Sequence, residues 1–251
     1  MAETIRLALL ASRGDSSTVA AILDAINEKR LPGIEPALVI SSKAGAGVIE
    51  KALARGIAPE NIVVIPRAGR TEVEFGKEIA HQCWRRRASH IGQYGWLPHT
   101  PGNLLWAYDG KMVNQHPGAL DPERSTHVER HPDFGGPGMY GRRAIAAALY
   151  FARMADHNWW VEATTHLVFP VLDSGPLVRF KRVDIEPHDT VESIQARLLP
   201  VEHEVQIAAL ADLTAHGGFR TIRRPEPLIL RQHYHLLTKA KQRAIEDYPN
   251  G

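Results

Sequence analysis

Cysteine is almost missing from this sequence: Cys83 stands alone in 251 residues, so no internal disulfide is available and a disulfide-stapled scaffold is excluded. Long apolar runs are missing as well. Residues 7–11 are typical of the apolar stretches, against the roughly 20 residues that a membrane-spanning helix needs, so no segment is expected to cross a bilayer. Residues 1–5, with acidic Glu3, lack the charged-then-apolar layout of a secretion signal, and the expected compartment is the cytoplasm. Charge of one sign is also lacking. With 30 Lys and Arg against 28 Asp and Glu and no long basic stripe, nothing points to a nucleic-acid partner. The short run Arg85, Arg86, Arg87 reads as the solvated end of a helix, well placed against its dipole. Thirteen histidines are present, and His127, Glu129 and His131 cluster. No spacing matches a zinc helix motif or a paired-cysteine site, so no metal is expected.

What is present describes a folding α/β chain. A hydrophobic fraction of 44% and a charged fraction of 23% are ordinary for globular proteins and disfavour disorder. Residues 5–11 form a short apolar run, followed by a polar turn and helical periodicity through Val19, Ile22, Leu23 and Ile26. The pattern recurs: strand 36–41, helix 46–55, strand 62–65, helix 70–86. Such alternation predicts a mostly parallel, Rossmann-like sheet with helices on both faces. Further strands are expected at 90–94, 112–115, 160–169 and 177–183, with helices at 140–155 and 191–214. Residues 117–138 are rich in Pro, Gly and charge and have no periodicity, and a loop of that length inside a domain is either functional or disordered. The chain therefore divides into a domain over 1–216 and a peripheral extension over 217–251, ending in a polar helix near 228–245.

Three places carry candidate chemistry. Gly14, Asp15, Ser16 and Ser17 lie between a strand and a helix, where backbone N–H groups and the helix dipole favour an anion. The glycines of a Walker loop or a dinucleotide fingerprint are missing there, and a serine at this place also serves as an ordinary helix cap. Asn114 and His116 are two apart at the end of a strand, so both project to one face. An amide N–H there can stabilise an oxyanion and an imidazole can move a proton. The same residues before Pro117 also read as turn chemistry. His166 sits in a strand-like run, and Asp173 follows in Leu172-Asp173-Ser174-Gly175-Pro176, a turn whose carboxylate can orient an imidazole but which on the residues alone reads first as ordinary turn chemistry.

Taken together, the order and spacing of these elements resemble the phosphoribosylglycinamide formyltransferase family of folate-dependent formyltransferases. The resemblance runs over most of residues 5–209. It rests on the Gly-Asp-Ser-Ser loop, on Asn114-Gln115-His116-Pro117, on Thr165-His166-Leu167-Val168, on the Asp173-Ser174-Gly175-Pro176 turn, and on the helix with Ile194, Ala196, Arg197, Glu202 and His203.

The resemblance implies a formyltransferase fold using 10-formyltetrahydrofolate as co-substrate and a small-molecule amine as acceptor, as a monomer or homodimer. Asn114, His116 and Asp173 would be catalytic. Gly14, Asp15, Ser16, Ser17 and Glu202 would hold the acceptor's phosphate and ribose. Tyr94, Gly95, Trp96, Leu97, His166, Val168 and Leu172 would line the folate cleft. The implied reaction is formyl transfer to glycinamide ribonucleotide. Alternatives are another amine, such as a nucleotide-linked amino sugar, a hydrolase releasing formate, and a folate- or nucleotide-binding module without turnover. The sequence departs from the family in the first loop, at residues 93–98, at Leu199, and in the longer loop after His116, where residues 133–140 can reshape the acceptor side.

Overall fold

The computed structural model describes residues 4–12, 16–124 and 132–251. Seven strands are hydrogen-bonded in one sheet: β1 (Ile5–Ala11), β2 (Ile34–Ser41), β3 (Ile62–Val64), β4 (His90–Gln93), β5 (Met112–His116), β6 (Trp160–Leu167) and β7 (Leu177–Asp184). Their spatial order is β3-β2-β1-β4-β5-β6-β7. The helices are α1 (Ser17–Asn27), α2 (Gly47–Leu53), α3 (Glu72–Arg85), α4 (Gly102–Ala107), α5 (Arg142–Ala155), α6 (Val191–His216) and α7 (Tyr234–Asp247). By contacts the chain forms two compact units, Met1–Asn114 with Gln206–Arg220 and Gln115–Val205 with Thr221–Gly251.

The first unit is the parallel α/β part. β1 is buried at every position except the half-buried Arg6, as expected of a strand covered on both faces. It pairs in parallel with β2 and β4. The β1–β2 register slips between Leu7 and Ala8, opposite Pro36, which has no N–H to give to the ladder. Leu7 and Leu9 pack with Ile22 and Leu23 of α1, Val39 of β2, and Leu210 and Leu213 of α6. α3 begins where its sequence says it should. Thr71 Oγ1 accepts from Glu74 N at 3.2 Å and Glu74 Oε2 accepts from Thr71 N at 2.8 Å, a reciprocal box that satisfies two otherwise unpaired donors. Cys83 is buried on this helix, and burial pushes its thiol up to about 12.

The second unit holds the antiparallel pair β6–β7, which runs from Trp160 opposite Asp184 to His166 opposite Leu177. α5 buries Ala144, Ala146, Ala147, Ala148 and Ala152 together with the larger Ile145, Leu149 and Phe151. Leu237, Ala240 and Ala244 of α7 join the same core. Phe134 meets Phe151 edge-on, with centroids 5.7 Å apart, the arrangement that ring quadrupoles favour.

The expectation that the chain after residue 217 is peripheral is corrected here. Arg224 is buried, donates to Leu120 O at 2.6 Å and pairs with the fully buried Glu162. Burial pushes the Glu162 carboxyl up, and the Arg224 guanidinium is the largest influence opposing that. Leu228 N donates to Asp121 Oδ2 at 2.9 Å. Removing any of these partners would leave a buried polar group uncompensated, so Arg224, Leu228 and Ile229 belong to the second unit's interior.

Candidate active site

β5 delivers the first site residues. Gln115 and His116 alternate across the strand. Gln115 Nε2 donates to Glu202 Oε1 of α6 at 2.7 Å. Glu202 is buried, and that desolvation pushes its carboxyl up to about 7 against the pull of the Gln115 hydrogen bond. His116 points the other way and is only 3% exposed. Its Nε2 lies 3.0 Å from Phe134 O. A carbonyl only accepts, so Nε2 carries the proton of that bond. Nδ1 then faces the carboxylate of Asp173, 3.8 Å from Oδ2.

Asp173 stands between two imidazoles. Its Oδ1 is 3.7 Å from His166 Nε2, while His166 Nδ1 donates to Leu167 O at 2.9 Å. Each ring thus spends one nitrogen on a backbone carbonyl and turns the other to the same carboxylate. Distances of 3.7 and 3.8 Å are ion-pair rather than hydrogen-bond distances. Gly136 N donates to Asp173 Oδ2 at 2.7 Å, fixing the acid from the loop side.

Local backbone chemistry makes this arrangement possible. Asp173 has φ +53°, a left-handed conformation that aspartate tolerates better than most side chains. The turn is closed by Leu167 N to Pro176 O at 2.9 Å. A Cβ at Gly175 would collide with the Leu167 carbonyl oxygen, so only glycine fits. A Cβ at Gly118 would come within 3.0 Å of His116 Nε2 and 3.2 Å of Phe134 Cβ. Glycine there lets the imidazole reach the Phe134 carbonyl. Beside the buried histidines the loop turns apolar and open, with Phe169 at 42%, Val171 at 60% and Leu172 at 44% exposure.

The residues expected from sequence fall in several places. His116, His166 and Asp173 come together as above, Leu172 is exposed and Val168 half-buried beside them, and Glu202 is held by Gln115. Asn114 ends the first unit, opposite Gln93 in the β4–β5 register. Ser16 stands before α1 at φ +33° with no side-chain cap bond, and Ser17 opens that helix. Gly14 and Asp15 lie outside the described residues, as do His127, Glu129 and His131. Tyr94 and Trp96 are buried, Trp96 stacking on Phe75 at 6.0 Å, and Gly95 O accepts from Ser12 N at 3.0 Å. Burial raises the Tyr94 phenol well above its usual range. At 94–97 the backbone and the exposed Leu97 are what this segment offers a ligand. Among the described residues no group of three His, Cys, Asp or Glu is placed to hold a metal ion.

A family model described as formyl transferase matches residues 5–210. The chain belongs to the formyl transferase family. The phosphoribosylglycinamide formyltransferase of Bacillus subtilis is 29% identical over 199 residues, spanning 79% of this chain and 89% of that protein. Crystal structures agree on the fold. Glycinamide ribonucleotide transformylase 1 from Geobacillus kaustophilus superposes with a TM-score of 0.68 at 29% identity, covering 84% of this chain and 100% of that one. The enzyme of the same name from Symbiobacterium toebii gives 0.70 at 26% identity, covering 85% and 89%. Sequence reasoning missed three contributors to this formyl transferase's site: Gln115, which holds Glu202, and the backbone of Phe134 and Gly136. The absence of periodicity over 117–138 was the available signal for the latter two.

Proposed function

We propose that this formyl transferase moves the formyl group of 10-formyltetrahydrofolate to the primary amine of glycinamide ribonucleotide, in the cytoplasm and as a monomer or homodimer. The observation that carries the reading is the Asp173 carboxylate shared by two buried imidazoles, His116 and His166, on a chain similar over most of its length to phosphoribosylglycinamide formyltransferases. The folate supplies an activated formyl carbon. The acceptor nitrogen attacks that carbon, the new C–N bond forms, the bond to the folate nitrogen breaks, and the proton lost by the amine ends on the departing folate nitrogen. No covalent bond to the protein is required.

Each residue then has a defined task. The Asn114 amide donates to the formyl oxygen as charge grows on it. His116 holds the proton in transit, with the Asp173 carboxylate facing its Nδ1. The open apolar loop around Val168 and Leu172, with the backbone of 94–97, receives the pterin. Glu202 takes the ribose hydroxyls, and Gly14, Asp15, Ser16 and Ser17 take the phosphate. Rate enhancement comes from positioning and charge stabilisation.

Spectrophotometric detection of tetrahydrofolate, with glycinamide ribonucleotide present or absent, tests the reading. Acceptor-dependent release of tetrahydrofolate is expected. Equal release without acceptor would replace transfer by hydrolysis, and silence in both arms would remove the proposed acceptor.

A further inference from the structure

The loop that touches His116 and Asp173 is itself held by a helix outside the family match. Phe134 O accepts from His116, and Gly136 N donates to Asp173. Both groups lie on one short turn. Inside that turn, the buried Asp133 accepts from Gly135 N through Oδ1 at 2.9 Å and from Asp121 N through Oδ2 at 3.0 Å. From outside, Lys241 Nζ of α7 donates to Asp133 O at 3.1 Å and to Gly135 O at 2.6 Å.

The second of these contacts is the informative one. The Gly135 carbonyl and the Gly136 N–H belong to the same peptide group. An ammonium on the carbonyl end polarises that peptide and strengthens donation from its N–H end to the Asp173 carboxylate. The relay runs from Lys241 through one peptide to Asp173, and from the neighbouring residue Phe134 to His116.

α7 is anchored firmly enough to act as a fixed support. Leu237, Ala240 and Ala244 are in the core of the second unit. Arg143 of α5 donates to Tyr248 O at 2.8 Å and Pro249 O at 2.6 Å, and to Gly138 O at 3.1 Å, tying the end of the chain to the far side of the same loop. Residues 234–247 lie beyond the family match over 5–210.

We propose that Lys241 is a positioning residue for formyl transfer, setting the Asp173 carboxylate and the His116 ring through the 133–136 turn. This rests on the function proposed above. The test compares wild type, Lys241→Met and Lys241→Arg in the full chain by steady-state kinetics, thermal melting, and the 15N resonances of the Gly136 amide and the His116 ring. Lys241→Met is expected to lower kcat by about ten- to a hundredfold, because small displacements of reacting groups cost that much. KM for both substrates should stay within about twofold, as for a group that acts only on the transition state. Both resonances should move, and Lys241→Arg should recover part of the rate. Wild-type kcat with unmoved resonances in Lys241→Met would overturn the proposal, and so would a rate loss accounted for by the unfolded fraction. If Lys241→Met melts below the assay temperature, Lys241→Gln, which keeps one donor, is judged by the same criteria. A wild type that transfers no formyl group would sink the functional reading, while the resonances would still decide the positioning role.

Discussion

Glu202 is the residue whose chemistry is most exposed to pH. Burial raises its carboxyl to about 7, above the value of an unfolded glutamate, so the folded chain binds the extra proton more tightly than the unfolded one. Its contribution to stability is therefore complete below the unfolded value and is lost as pH rises through about 7. Binding runs the other way, because an ionised carboxylate is the stronger acceptor for ribose hydroxyls. KM for glycinamide ribonucleotide is expected to fall as pH rises through that range, and Glu202→Gln to flatten the profile. An unchanged profile in Glu202→Gln would place the ribose elsewhere. Asn114→Ala is expected to lower kcat by about a hundred- to a thousandfold, the usual cost of an oxyanion donor, with an unchanged melting curve. Wild-type kcat in that variant would remove Asn114 from the mechanism. Asn114, His116, His166 and Asp173 stand out in the sequence as candidates because side chains of these types come at recognisable spacing, and the structure brings His116, His166 and Asp173 together. Phe134 and Gly136 act through backbone atoms, which every residue has, and no residue pattern marks them.

Among the elements, the end of β5 and the turn after it are held by a fit that one methyl group would disturb. Gly118→Ala puts a Cβ 3.0 Å from His116 Nε2 and 3.2 Å from Phe134 Cβ, so the buried ring or the turn must shift by a few tenths of an ångström. A kcat lowered by about tenfold or more is expected from the displaced imidazole. Undiminished kcat would show that the turn yields without moving the ring. At the start of α6, Asp189 accepts from Arg197 and Ser193, and the Arg197 hydrogen bond in particular holds its carboxyl well below the usual range. That stabilisation is present above the ordinary carboxylate value and is lost as pH falls through the depressed one. Asp189→Asn is expected to lower the melting temperature at neutral pH, with the difference from wild type closing in strong acid. A constant difference across that range would assign the effect to packing. The parallel strands were legible because burial on both faces leaves continuous apolar runs. The antiparallel pairing of β6 with β7 follows from their short connection, too short for the crossover of a dozen or more residues that a parallel pair needs. α7 was misread as peripheral because it buries only Leu237, Ala240 and Ala244. Two of these are alanines, which give a weak periodic signal on a helix dense in Lys, Arg and His.

For the molecule as a whole, strand and helix alternation was sufficient to reach a mostly parallel α/β sheet, and the order of the short motifs along it was sufficient to reach the formyl transferase family, whose match covers residues 5–210. What alternation could not convey is that residues 221–251 share a compact unit with 115–205, because that depends on single long-range partners such as Arg224 with Glu162 and Lys241 with the 133–136 turn. In the second unit, Asp173 is held from its own turn, from Gly136 and, one peptide further out, from Lys241. The most direct measurement is the acceptor-dependent kcat of Asp173→Asn beside wild type, with folding of both checked by thermal melting. A folded variant slowed by about a hundred- to ten-thousandfold, the range expected when assisted proton transfer is lost, is the predicted result. Wild-type kcat in folded Asp173→Asn would contradict the assignment of this carboxylate and its two imidazoles as the centre of the reaction.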